Sequence, residues 1–118
     1  MTPEALRNLI VDALEDKKGR DVVTMDVTGV SDVTDYMIVV SGSSNRHVKA
    51  LVDQVVEATT TAGIRPLGVE GRETHEWVLV DVGDALVHVM QPEARTFYDL
   101  ERLWGEMPAD SADTETSV

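Results

Sequence analysis

Hydrophobic residues recur with two different periods along the chain, and each change of period marks a predicted element. Residues 2–19 place a set of apolar side chains on one helical face: Leu6, Leu9, Ile10, Ala13 and Leu14. Thr2 is a good N-cap, and Pro3 suits the first helical position. Gly19 is expected to end this helix.

Two predicted strands and a second helix follow. Residues 21–27 alternate loosely between polar and apolar, whereas residues 35–41 are nearly all apolar and predict a more buried strand. A polar loop, 28–34, separates them. After Gly42, to which we assign a structural role, a serine cap opens a helix that ends near Gly63. Its apolar stripe contains Val48, Leu51, Val52, Val55 and Val56.

Residues 77–90 give the clearest local pattern, two alternating runs on either side of Gly83-Asp84, a pair suited to a tight hairpin turn. With this turn, one face of the hairpin contains Val78, Val80, Val82, Ala85, Val87 and Val89. The other face contains Trp77, Leu79, Asp81, Leu86, His88 and Met90.

The last predicted helix begins at Pro92 and extends to about Trp104, with Phe97, Leu100 and Trp104 at helical spacing. Residues 105–118 are acidic, lack this pattern and are predicted to be disordered. The sequence therefore predicts one domain, residues 1–104. Its class is α/β (α+β), a sheet with helices packed on it, in the order α-β-β-α-β-β-α.

Charge narrows the classes of partner. The net charge is −12, and the only cluster of basic residues is Lys17, Lys18 and Arg20. Such a protein repels bare nucleic acid, so we expect little or no direct binding to it, and a basic protein surface is the more natural partner.

Composition limits the compartment and the chemistry. The chain has no cysteine, which excludes disulfides and a thiol nucleophile. It also shows neither a secretion signal nor an apolar run that would span a membrane, so we expect a cytoplasmic protein.

The segment "SGSSNRH", 41–47, resembles an anion-binding strand-to-helix turn, but it matches no phosphate-binding motif and is also an ordinary helix cap. A Gly-Ser turn of this kind also resembles the nucleotidyltransferase fold, whose chemistry needs paired carboxylates. Asp81 and Asp84 flank a turn, and Asp21 and Asp26 are five residues apart, so neither pair has the required spacing. The histidines show no metal-binding spacing. We therefore predict no catalytic residue, no metal and no cofactor.

The hairpin face with Trp77 poses a separate question, because the valine face already supplies a complete core-facing set. Either a helix of this chain covers Trp77, Leu79, Leu86 and Met90, or these residues form a binding surface. Asp81 and His88 would supply polar contacts there.

Four segments together resemble the ribosomal silencing factors, also called Iojap-like proteins: "DVTDYMIVVSGSSNRHVKAL", "PLGVEG", "EWVLVDVGDALVHVM" and "EARTFYDLERLW". The resemblance spans about Leu6 to Trp104. It implies a nucleotidyltransferase-like mixed sheet without the active carboxylates. It also implies a non-catalytic regulator that binds ribosomal protein number fourteen (uL-fourteen) on the large ribosomal subunit, blocks joining of the small subunit and lowers translation when nutrients are short.

The family's characteristic positions fall on Trp77, Asp81, Gly83, His88, Arg95, Tyr98, Leu100, Glu101 and Trp104. By this resemblance, Gly83 belongs to the turn, and Leu100 and Trp104 belong mainly to packing. The partner surface is then predicted to contain Trp77, Leu79, Asp81, His88, Met90, Arg95, Tyr98 and Glu101.

Two other hypotheses stay open. One is a small metal-dependent nucleotidyltransferase that uses Ser43 with a pair among Asp26, Asp81 and Asp84. The other is a homodimeric scaffold in which the Trp77 face pairs with itself.

Overall fold

The computed structural model describes the backbone of residues 1–98 and the side chains of residues 1–95. It contains α1 (Pro3–Asp16), β1 (Arg20–Asp26), β2 (Tyr36–Ser41), α2 (Asn45–Thr61), β3 (Gly68–Glu70), β4 (Trp77–Asp81), β5 (Ala85–Met90) and α3 (Pro92–Tyr98). The strands form one five-stranded mixed sheet in the order β1-β2-β5-β4-β3. The α/β fold predicted from the sequence is confirmed. None of the helices described is long and apolar enough to cross a membrane.

Strand β3 was not predicted. It has three residues and pairs antiparallel with β4, with Val69 opposite Val80. Three residues, Gly-Val-Glu, are too few to show an alternation of apolar and polar positions. The extended conformation of this segment therefore depends on its pairing with β4. The observed order is therefore α-β-β-α-β-β-β-α.

One face of the sheet is covered by α1 and α2. The valine face of the hairpin lies here, as predicted, and Val78, Val80, Val87 and Val89 are fully buried. Both helices contribute their predicted stripes to the same cluster: Leu6, Ile10, Ala13, Leu14, Val48, Leu51, Val52 and Val55. These contacts form the main core, and they hold α2 despite its β-branched content.

The β4–β5 hairpin has the predicted two-residue turn. Val82 donates its N–H to Ala85 O at 2.9 Å, and Gly83 has a φ of +90°. This left-handed conformation explains why glycine stands at the turn. The Asp81 carboxylate accepts the N–H of Gly83 at 2.9 Å, so part of its hydrogen-bonding capacity stabilises the turn.

The first helix begins as predicted but ends differently. Thr2 Oγ1 accepts the N–H of Ala5 at 3.1 Å. At the other end Lys18, rather than Gly19, has positive φ, at 61°. Gly19 is needed for close packing, because a Cβ there would lie 2.7 Å from Val40 Cγ2.

The last helix begins at Pro92 as predicted and is observed through Tyr98. Leu100, Glu101, Trp104 and the acidic segment 105–118 lie outside the described residues. The predicted domain limit at residue 104 therefore stays a prediction.

Candidate functional site

The second face of the sheet lies away from α1 and α2, and we call it the open face. Strand register places three rows of side chains across it. The rows consist of Met25, Met37, Leu86 and Asp81; of Val23, Val39, His88, Leu79 and Glu70; and of Ser41, Met90 and Trp77. Met37, Val39 and Met90 are buried, whereas Met25, Trp77 and Leu86 are half-buried. Ala94 of α3 packs against this cluster, so the last helix lies on the Trp77 side of the sheet.

A hydrogen bond on the open face fixes the relation between two predicted residues. Trp77 Nε1 donates to His88 Nδ1 at 2.9 Å, and the two rings lie 5.8 Å apart between centroids. Because Nδ1 accepts, the neutral imidazole must carry its proton on Nε2. Burial lowers the pKa of His88 to about 4, so this ring is neutral at physiological pH.

His88 Nε2 has a different environment from Nδ1. It is buried, and no group in the part of the chain that the structure describes forms a hydrogen bond with it. The residue is 7% exposed, which places it at the base of the open face and leaves little of it for a partner to contact. His88 therefore acts mainly within the chain, where its Nδ1 accepts the hydrogen bond that orients the Trp77 indole.

Met90 and Leu79, both predicted to contact a partner, differ from each other in exposure. Met90 is fully buried opposite Trp77, so its assignment to the partner surface is corrected to packing beneath the indole. Leu79 is half-buried on β4 and presents part of its side chain outward. Leu86, omitted from the predicted partner set, has the same exposure class and lies on the same face.

Arg95 was predicted to contact a partner, and the structure shows its contacts within the chain. One guanidinium nitrogen, Nη1, donates to Ser41 Oγ at 2.9 Å and to the Arg20 carbonyl at 3.5 Å. These bonds tie α3 to the ends of β1 and β2. Tyr98 is the last residue of α3 that the structure describes, and Glu101 lies outside the described residues.

The segment 41–47 forms a helix cap in which two backbone N–H groups are bonded to side chains of the segment itself. Ser43 donates its N–H to His47 Nδ1 at 2.9 Å, and His47 donates its own N–H to Ser44 Oγ at 3.1 Å. His47 Nε2 lies 2.9 Å from the Lys17 carbonyl, which joins this turn to the end of α1. Sequence gives no signal for that contact, because thirty residues separate the partners.

Gly42 lies where the backbone of β2 approaches α2 closely. A Cβ at this position would lie 2.8 Å from Val48 Cγ2, since the first turn of α2 crosses close to the end of β2. Close approach, rather than a special φ, therefore requires glycine here.

Two of the carboxylates named in the nucleotidyltransferase hypothesis, Asp26 and Asp81, lie on opposite faces of the sheet. Asp26 lies in the row of Tyr36, on the helix-covered side, whereas Asp81 lies in a row of the open face. Asp84 lies at the start of β2, where its carbonyl accepts the N–H of Tyr36. Ser43 follows the other end of this strand, and the two ends of β2 are roughly 17 Å apart. Within the described residues no group of three His, Asp or Glu side chains is arranged to hold a metal.

Comparison with known proteins gives consistent matches. The family model described as "Ribosomal silencing factor during starvation" matches residues 1–118. A ribosomal silencing factor from Chromobacterium violaceum is 46% identical over 105 residues, covering 89% of this chain and 86% of that protein. A mouse protein named "Mitochondrial assembly of ribosomal large subunit protein 1" is 33% identical over 100 residues, covering 82% and 44% of the two chains. A crystal structure of a Chromobacterium violaceum protein has a TM-score of 0.88 at 43% identity, covering 98% and 95%.

Proposed function

This chain belongs to the ribosomal silencing factor family, and from that premise we propose that it binds the large ribosomal subunit and sterically blocks joining of the small subunit. In this proposal it represses translation when nutrients are limiting, and it acts in the cytoplasm without catalysis. The partner is ribosomal protein number fourteen (uL-fourteen). The name of the mouse relative supports the choice of the large subunit.

The observation that carries the proposal is the open face. Folding leaves Trp77, Leu79 and Leu86 half-buried there, while α1 and α2 cover the other side. A large aromatic side chain among aliphatic ones is the composition in which binding energy concentrates. The bond to His88 fixes the indole in advance, so docking requires little further ordering of that side chain.

Charge favours a basic protein over the surrounding RNA. A molecule of net charge −12 is repelled by phosphate and attracted by a basic patch. Asp81 and Glu70 lie on the open face beside the apolar side chains. Complementary charge of this kind speeds and orients association more than it strengthens it, so added salt should slow binding.

Arg95 and Tyr98 belong to the edge of the proposed surface rather than its centre. Arg95 holds α3 in place by bonding to Ser41, so its contribution is to position the helix beside the open face. Tyr98 and Glu101 stay in the proposed partner surface by the family resemblance alone.

A sedimentation experiment tests the proposal. Isolated large subunits are mixed with the parent protein, with Leu79→Gln and with Val11→Gln, a matched change at a half-exposed residue of α1 on the other side of the sheet. We expect the parent and Val11→Gln to sediment with the subunits, and Leu79→Gln to bind about tenfold more weakly. Adding small subunits then measures joining, which the parent should reduce.

Two results would count against the proposal. If the parent stays in the supernatant at low salt, large-subunit binding is wrong for this chain. If both variants bind like the parent, the open face is not the contact. Light scattering on the same samples tests the homodimer hypothesis, in which Leu79→Gln would instead dissociate a dimer.

A further inference from the structure

The strongly exposed large hydrophobic side chains of the described residues are those of Met1, Val33 and Leu67, which are 67%, 72% and 74% exposed. Backbone hydrogen bonds place two of them, Val33 and Leu67, at the same end of the sheet. Single exposed apolar residues are common on protein surfaces and need no explanation. The placement of these two at the same end, where the β4–β5 hairpin turns, does need one.

Leu67 lies on one side of that turn. Its N–H donates to Asp81 O at 2.7 Å, which extends the β3–β4 ladder by one residue. Its Cδ1 lies 3.8 Å from the position that a Cβ on Gly83 would occupy. The exposed leucine is therefore held against the turn by the backbone.

Val33 lies on the other side, in the loop before β2. Asp35 and Tyr36 both donate their N–H groups to Asp84 O, at 3.2 and 3.1 Å. Ser31 Oγ accepts the N–H of Val33 at 3.0 Å. Hydrogen bonds thus anchor this loop to the same hairpin turn, and Val33 is presented from an ordered segment.

Several carboxylates belong to the same end of the sheet. Asp32 and Asp35 lie beside Val33 in sequence, Asp84 is in the turn, and Asp26 pairs with Tyr36 at the start of β2. Of the basic residues, Arg65 lies two positions before Leu67 in sequence, and the Arg7 guanidinium lies 4.9 Å from the centre of the Tyr36 ring. Among these named residues, the carboxylates outnumber the arginines by four to two.

We propose that this surface, the hairpin end, defined by Val33, Leu67 and Asp84, is a second contact region for a basic protein partner. It is continuous with the open face through the row that contains Leu86 and Asp81. The inference rests on the proposed function and extends its surface around the end of the sheet. Carboxylates repel RNA, and two acidic ends of this kind repel each other, so a basic protein fits better than RNA or a second copy.

The test uses the full chain with isolated large subunits. Val33→Thr/Leu67→Asn removes both apolar contacts at exposed positions, where folding is little affected. Thr74→Asn, an exposed change in the loop at the opposite end of the sheet, is its control. A second pair of variants tests charge. Asp84→Asn removes a carboxylate from the hairpin end, and its control, Glu73→Gln, removes one from the loop at the opposite end.

We expect the double variant to bind the subunits about tenfold more weakly than the parent, with Thr74→Asn unchanged. Asp84→Asn should slow association more than Glu73→Gln. If the parent binds and the double variant binds equally well, the hairpin end is not a contact, although the proposed function stands. If the parent does not bind, both fail together. If the double variant instead loses self-association by light scattering, the occupant is a second copy and the assignment to a basic protein is wrong.

Discussion

The Trp77 indole and the His88 imidazole are joined across neighbouring strands by a single hydrogen bond of 2.9 Å, from Nε1 to Nδ1. The two residues are not direct cross-strand partners, since Trp77 pairs with Met90 and His88 with Leu79. The bond is therefore diagonal. It determines both the orientation of the aromatic ring and the tautomer of the histidine.

Trp77→Phe should lower the free energy of unfolding by about 1–3 kcal/mol, because it leaves a buried acceptor on His88 without its donor. Adding His88→Leu should recover part of that loss, since an apolar side chain needs no donor. Urea denaturation of the two single variants and the double variant measures the coupling. Strictly additive losses would show that the bond contributes nothing to stability.

The stability of the protein should depend on pH through His88. Its pKa is about 4 in the folded state, against an ordinary value of 6.5. Between these values the unfolded chain binds a proton that the folded protein excludes, so the free energy of unfolding falls as the pH drops. The loss is about 3 kcal/mol across the window, and it is absent above pH about 6.5.

His88→Gln provides the control for that dependence, because glutamine does not titrate. Denaturation at pH 7 and pH 5 should show a smaller loss in this variant than in the parent, while both share the titration of the carboxylates. Equal losses in the two proteins would contradict a buried neutral His88.

Gly42→Ala should destabilise the fold by about 1–3 kcal/mol, because the new methyl group would overlap Val48. Gly68→Ala is the matched change, since a Cβ there meets no atom within 4 Å and φ is ordinary. Thermal melts should therefore separate the two variants. A Gly42→Ala protein as stable as Gly68→Ala would mean that α2 shifts readily away from β2.

Magnesium and ATP together should leave the melting temperature unchanged. Ligands that bind only the folded state raise it, and a site occupied at a hundred times its Kd adds about 2.7 kcal/mol. The carboxylates of Asp26 and Asp81 lie on opposite sides of the sheet and offer no shared metal position. A reproducible rise of several degrees would revive the nucleotidyltransferase hypothesis.

Periodicity predicted the elements that bury a face along their own length. The valines of the hairpin and the stripe of α2 belong to this group, because local alternation directly encodes which side chains point inward. Strand β3 was missed because three residues contain no period, and its partner is supplied by the fold. The same limit hid the bond from His47 to Lys17.

The candidate site was predicted less completely than the fold. The alternation of side chains along the strands placed Trp77 and His88 on one face of the hairpin. It did not show how deeply each side chain is buried, so Met90 appeared to be as accessible as Leu79. Burial depends on what packs on each residue, and Ala94 of α3 packs against the cluster that contains Met90. Leu67 and Val33 escaped notice because isolated apolar residues in loops have no pattern until the turns bring them to the same end.

The parallel pairing of β2 with β5 also bears on how the chain folds. β1 with β2, and β4 with β5, are antiparallel neighbours in sequence and close small loops. Tyr36 and Ala85, in contrast, pair although 49 positions of sequence (85 − 36) separate them. Joining the two hairpins is therefore the step with the largest loop-closure entropy, and we expect it to limit the folding rate. During synthesis that step must wait until β5 has left the ribosome, so the nascent chain completes its sheet only when translation of the domain is nearly finished.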